Sequence, residues 1–289
     1  LKNTKCYTAM DKNIKKWVYL RSLSIIWGSS YILIKKGLVG LKPLQLGSIR
    51  IIITTAILLL FGWKELKSIP MASWKWIAFT GYFGTFFPSF LFAFAETVID
   101  SSVAAVLNGM TPLFTLLIGV FFFGSFFKWG KILGVIIGFG GTLILVSNEF
   151  TINTGTNSWY TFLVVFAAFC YAMNVNVIKY KLNMVSPIGI ALGNFLSILV
   201  PSLLILTFSD FPWEEVIYEN KVTTSLGYVF ILALLGTAVA KVMFNELVSI
   251  SSPVFSISIT YLLPIVAIGW GVLDGEIFTI VQWLGCIFI

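Results

Sequence analysis

The sequence predicts an all-α integral membrane protein, with ten transmembrane helices arranged as two inverted five-helix repeats. Three observations lead there. Of the 289 residues 58% are hydrophobic and only 11% charged, with a mean hydropathy of +0.96, whereas soluble domains carry roughly 25% charged residues. The apolar runs between polar breaks are close to the roughly 20 residues that cross a hydrocarbon core of about 30 Å. The chain also repeats itself. Glu96 is followed five and six residues on by Ser101 and Ser102, then by Pro112 and Gly124; Glu246 is followed in the same way by Ser251 and Ser252, then by Pro264 and Gly275. Lys35 stands eight residues before Pro43, as Lys179 stands eight before Pro187. The same order at equal or near-equal spacing marks a duplicated unit, with Pro264 to Gly275 one residue shorter than Pro112 to Gly124.

The first span, Trp17 to Lys36, follows a basic polar segment and has no small-residue cleavage site after it, so it reads as a membrane helix and not a signal peptide. Breaks at charge, proline and polar clusters then set Leu44 to Trp63, Ser73 to Phe94, Ser101 to Phe123 and Trp129 to Ser147. The polar loop Asn148 to Ser158 divides the halves. The second set is Trp159 to Tyr180, Pro187 to Phe208, Thr224 to Asn245, Pro253 to Leu273 and Ile277 onward. The two repeats therefore cover residues 17–147 and 159–289. Ile277 to Ile289 leaves only 13 residues for the tenth span and the chain opens on Leu1, so the last helix is expected to be cut short.

Positive charge orients the bundle. With the N-terminus cytoplasmic, the inner side carries 14 cations (Lys2, Lys5, Lys12, Lys15, Lys16, Arg21, Lys64, Lys67, Lys75, Lys128, Lys131, Lys179, Lys181 and Lys241), and the outer side carries five: Lys35, Lys36, Lys42, Arg50 and Lys221. Asp210, Glu214, Glu215 and Glu219 gather in one external loop. Five spans per copy make the second copy enter from the opposite face, the inverted arrangement that gives a transporter two similar states around one central site. A bacterial plasma membrane is the expected location.

Several chemistries drop out. There is no histidine, so the usual general base and most transition-metal sites are missing. Zinc-protease, nucleophile-elbow and phosphate-loop motifs are absent as well. Cys6, Cys170 and Cys286 form no paired spacing. The net charge of +7 sits at span ends without forming a stripe, so no nucleic-acid partner is expected; nor is any cofactor, metal or catalytic residue. The expected partners are the lipid bilayer and a small-molecule substrate. Coupling to a proton or counter-substrate, and the oligomeric state, stay open.

Polar and aromatic residues inside the spans are the remaining candidates. Trp27, Tyr31 and Lys35 follow one another at steps of four, on one helix face. Tyr171 and Asn174 are three apart in span six, Asn108 and Thr111 three apart in span four, and Thr260 and Tyr261 precede Pro264 in span nine. Trp27, Tyr31, Asn108, Thr111, Tyr171, Asn174 and Tyr261 are therefore substrate-cavity candidates. The competing reading makes the rings interface anchors and the polar groups helix-to-helix glue. Pro112 and Pro264 are candidate helix breaks. Arg50 lies six positions into span two, where an intramembrane charge must face protein or water. Arg50 with Glu96, near Lys35, is a candidate outer ion-pair gate, and Lys179 with Glu246 its inner counterpart.

These residues resemble a known family. WGSSYILIK at Trp27 to Lys35, Arg50 in LGSIRIIITTAILLL, SSVAAVLNGMTPLFTLLIGVFFFG at Ser101 to Gly124, and LLPIVAIGWGVLDGE ending at Glu276 are similar to the EamA family of the drug/metabolite transporter superfamily. The resemblance implies a ten-helix transporter with a central cavity, exporting amino acids, other metabolites or toxic compounds. The first copy departs from the pattern at Ser125, where family members often carry Glu. The expected function is a secondary transporter exporting a small metabolite or amino acid by alternating access. The alternatives are a membrane-embedded enzyme acting on a lipid carrier, or a non-transporting membrane binding protein.

Overall fold

The computed structural model describes residues 2–125, 129–146, 158–212, 216 and 220–273. Helices fill each of the nine expected spans within that range. Helix α1 runs from Lys2 to Gly37, α2 from Pro43 to Gly62, and a 3-10 segment, Trp63–Ser68, extends α2. The third span is α3, Trp74–Gly81, and α4, Phe87–Ala95, joined by a π-helical segment, Tyr82–Phe86. The fourth is α5, Ser101–Leu107, a 3-10 turn, Asn108–Met110, and α6, Thr111–Phe123. Helix α7 covers Trp129–Val146.

In the second half α8 is Ser158–Lys181 and α9 Pro187–Thr207. Helices α10, Asn220–Ala233, and α11, Ala240–Ile250, flank a second π segment, Leu234–Val239. Helices α12, Pro253–Ile257, and α13, Ile259–Leu273, complete the described chain. The expected tenth span, the loop at 148–157, Lys128, Cys286 and the acids Glu214, Glu215 and Glu219 lie outside the described residues.

Seven helical stretches among the described residues are long and apolar enough to cross a membrane. The expected first and fifth spans are helical without being among the seven. In α1 the reason is its serines and Arg21, which dilute its apolar character. The serine hydroxyls are folded back onto their own helix: Ser24 donates to Leu20 O, Ser29 to Ile25 O and Ser30 to Ile26 O, at 2.7 to 3.0 Å. That local bonding lets a serine-rich helix sit among apolar neighbours. Helix α7 contributes the shorter apolar stretch Ile132–Gly141.

Local sequence sets the helix ends. Pro43, Pro187 and Pro253 each open a helix, where the missing N–H is unneeded. Ser186 and Ser252 cap α9 and α12 by accepting from Gly189 N and Phe255 N. Gly124 ends α6 in the left-handed region at φ 62°, a conformation glycine adopts without strain. Pro112 comes two residues after the 3-10 turn, whereas Pro264 lies inside α13, six residues past the break at Ser258. A proline ring removes the bond to the carbonyl four residues back and clashes with it, which explains the irregularity ahead of Pro112.

Large apolar side chains such as Leu60, Phe61, Phe121, Phe122 and Trp129 face outward, while Gln45, Thr54, Asn108, Asn174, Asn194 and Lys241 are buried. A protein surrounded by hydrocarbon loses nothing by exposing Phe and Leu, and must hide its polar groups where partners exist. The halves interlock, with α2 against α9, α1 against α13 and α4 against α8.

Candidate functional site

A cavity lies where the halves meet. It holds about 830 Å³ of space free of protein atoms, its open mouth included. Trp27, Ser30, Tyr31 and Ile34 of α1 form one wall and Tyr171 and Asn174 of α8 another. Gly84, Thr85, Ser89 and Phe92 come from the third span; Gly236, Thr237, Lys241 and Phe244 come from the eighth. Arg50, Asn108, Ile257, Thr260 and Leu263 complete the lining.

This lining is itself duplicated. Trp27 and Tyr171 are 144 positions apart, as are Ser30 and Asn174, and as are Lys35 and Lys179. Gly84 and Gly236, Thr85 and Thr237, Ser89 and Lys241, Phe92 and Phe244, and Asn108 and Thr260 are each 152 apart, the spacing of Pro112 and Pro264. Equivalent positions of the two copies thus face one shared space. The chemistry of the pairs is not identical, and Lys241 opposite Ser89 is the largest departure.

The two π segments are the parts of the wall that the sequence reading missed. A π turn leaves local carbonyls without their usual helical donors and commonly marks a functional site. Here the donors come from the opposite half. Trp27 Nε1 donates to Gly236 O at 2.9 Å, and Lys241 Nζ donates to Gly84 O at 2.9 Å. Arg50 Nε donates to Thr237 Oγ1 at 2.7 Å. The glycines allow close approach: a Cβ on Gly236 would lie 2.6 Å from Ser30 Oγ, and one on Gly84 would run into Asn174. The repeated Gly-Thr pair, 152 positions apart, was the available signal.

Of the expected cavity residues, Trp27, Tyr31, Asn108, Tyr171 and Asn174 line the space. Asn108 Nδ2 donates to Tyr31 OH at 3.0 Å, and the Phe92 ring lies edge-on to Tyr31 and stacked with Tyr171. Two expected residues stand elsewhere. Thr111 sits behind the wall, donating to Asn108 O and Oδ1 at 2.6 and 2.9 Å. Tyr261 donates to Val135 O at 3.1 Å and borders a second space that Pro112, Lys12 and Ser252 share.

The ion-pair expectations are corrected. Arg50 is bonded to Thr237 and not to a carboxylate, because the π segment brings a hydroxyl to its Nε. Glu96 is buried with neither oxygen hydrogen-bonded; the fields of Arg50 and Lys35 reach it without direct contact. The expected Lys179–Glu246 pair is also not formed. Lys179 donates to Val248 O and Ser249 O, both at 3.0 Å, where the exposed carbonyls of the α11 C-terminus attract a cation. Glu246 pairs with Lys15 at 2.9 Å, and the bond holds the Lys15 ammonium above its ordinary pKa. Lys241, counted with the inner cations, is a cavity residue. Ser125, at the departure from the family pattern, shares a 2.6 Å hydrogen bond with Tyr180 OH.

The EamA-like transporter family model matches twice, at residues 16–147 and 158–289. An Escherichia coli K12 protein described as the uncharacterized inner membrane transporter YedA is 28% identical over 271 residues, covering 92% of this chain and 85% of that one. A Salmonella typhimurium protein described as a probable amino-acid metabolite efflux pump is 25% identical over 231 residues, covering 73% and 75%. A solved crystal structure shares the fold, with a TM-score of 0.72 at 15% identity over 94% of this chain and 92% of that chain. Two family matches, one on each half and both around a cavity that the halves build jointly, place the chain in the EamA-like transporter family.

Proposed function

We propose that this protein is a secondary transporter that moves a small metabolite across the plasma membrane by alternating access. The observation that carries the reading is the duplicated cavity lining: residue pairs at repeated spacings of 144 and 152, drawn from both copies, surround one space. If the copies are inverted repeats, exchanging their conformations exposes the same site to the other side. The Salmonella relative's description makes an amino-acid metabolite one class to test, and its efflux direction is adopted here. The charge tally supports a cytoplasmic N-terminus.

The interrupted helices fit such motion. Bonds that hold each π segment come from the opposite half, so a rearrangement of the halves changes them together. Rocking of one repeat against the other would break or remake Trp27–Gly236 and Lys241–Gly84.

The test is solute counterflow in proteoliposomes containing the purified chain, with a panel of labelled amino acids, organic acids and cationic drugs. Accumulation of at least one solute that falls in Trp27→Ala and Asn108→Ala is expected. Ligand binding without counterflow of any bound solute would instead identify a binding protein.

A further inference from the structure

We propose that the substrate is a small organic anion, a carboxylate carrying a neutral hydrogen-bond donor on an apolar or aromatic body, and not an amino-acid zwitterion or a cation. The inference deepens the transport reading and rests on it for the site's identity as a substrate cavity. It starts from charge. The two charged side chains among the described lining residues are both cations, Arg50 and Lys241. They lie close enough to repel each other electrostatically. Glu96, whose field reaches Arg50, is not part of the lining and is shared with Lys35. The lining therefore offers two basic side chains and no acid, so a bound anion finds partners there and a bound cation finds none.

The cations also have capacity left. Lys241 spends one of its three donors on Gly84 O, and Arg50 uses Nε on Thr237, leaving its terminal Nη groups unbonded among the described residues. Tyr31 OH accepts from Asn108, so its own proton is available. One acceptor is left unsatisfied in the same wall. Asn174 lines the cavity and is only 2% exposed, and its Oδ1, packed toward Gly84, has no hydrogen-bond partner. A carboxylate on the cations and a hydroxyl donating to Asn174 satisfy both sets. An ammonium would find no acid in the lining and would enter a space bordered by two basic side chains. Trp27, Phe92 and Phe244 supply apolar walls for the remainder.

A matched series tests this: 3-phenyllactate, phenylalanine and phenethylamine have the same ring and present an anion, a zwitterion and a cation. Binding to the detergent-purified full chain is read by tryptophan fluorescence, and movement by counterflow in proteoliposomes. Phenyllactate should bind at least about tenfold more tightly than phenylalanine, with phenethylamine weakest, since like-charge juxtaposition is worth several kcal/mol. Lys241→Gln should narrow the ratio and Lys241→Arg should keep it, so a folding defect of one variant does not decide the matter. Equal or tighter binding of phenylalanine or phenethylamine overturns the proposal, as does failure of phenyllactate, lactate and benzoate all to bind. The expected order without counterflow removes the transport reading and leaves the anion preference standing. Counterflow that prefers phenylalanine does the reverse.

Discussion

Glu96 and Glu246 each stand five residues ahead of a Ser-Ser pair, but they are 150 positions apart where the cavity lining around them repeats at 152, and the fold treats them oppositely. Glu96 is buried and lacks a hydrogen bond, with two cations near but not touching. Glu246 is partly exposed and bonded to Lys15. Lys15 and Lys35 are twenty residues apart on one helix, so these acids sit at opposite ends of the bundle, about 30 Å apart. One end is tied by an ion pair; at the other the acid makes no direct contact with Arg50 or Lys35. A likeness in local sequence therefore does not make the acids equivalent; the register of each helix and the packing around it decide what they do.

The largest effect should come from exchanging charges at the loose end. Arg50 is held by Thr237, so Arg50→Glu combined with Glu96→Arg should not restore transport and should lower stability by about 3 kcal/mol or more, the scale for an uncompensated buried charge. Recovery of counterflow in the double variant would show that the two side chains act as a pair.

Next is the contrast between the π segments. Gly84→Ala drives a methyl group into Asn174, whereas Gly236→Ala meets the smaller Ser30. A loss of about 1 to 3 kcal/mol is expected for Gly84→Ala, less for Gly236→Ala, and partial rescue of the former by Asn174→Ala. Thermal unfolding in detergent measures all three, and equal losses without rescue would remove the asymmetry.

Neutralising the acids should separate them by sign. Glu96→Gln removes a buried charge without hydrogen bonds and should stabilise by about 1 kcal/mol, read as a rise in unfolding temperature. A fall would mean that Arg50 and Lys35 already compensate that charge at a distance.

The smallest effect belongs to the tied end. Glu246→Gln should destabilise by no more than about 1 kcal/mol, a contribution that fades with added salt. Since the partner raises the Lys15 pKa, the contribution is full below the ordinary lysine value and disappears as pH climbs through the raised one. A salt-independent loss in the Glu246 variant would point to a packing role.

Much of this architecture was legible. Eight of the nine expected spans among the described residues coincide with helices to within five residues at each end, because apolar length and proline or serine caps act locally; α1 instead begins at Lys2, 15 residues ahead of the expected Trp17. The aromatic and amide candidates at Trp27, Tyr31, Asn108, Tyr171 and Asn174 were readable because helical spacing places polar groups on one face. Lys241 was misread for the opposite reason. By its position in sequence it is one more cation near a span end, and only a carbonyl 157 residues away gives it a buried partner.

The sequence by itself determined a membrane-buried helical protein written in two copies, since hydropathy and spacing are properties of the chain alone. Tertiary structure decided which polar groups meet. A π segment frees its carbonyl locally, but the donor that answers it comes from the other half, and neither Trp27 nor Lys241 announces that partner in its own neighbourhood.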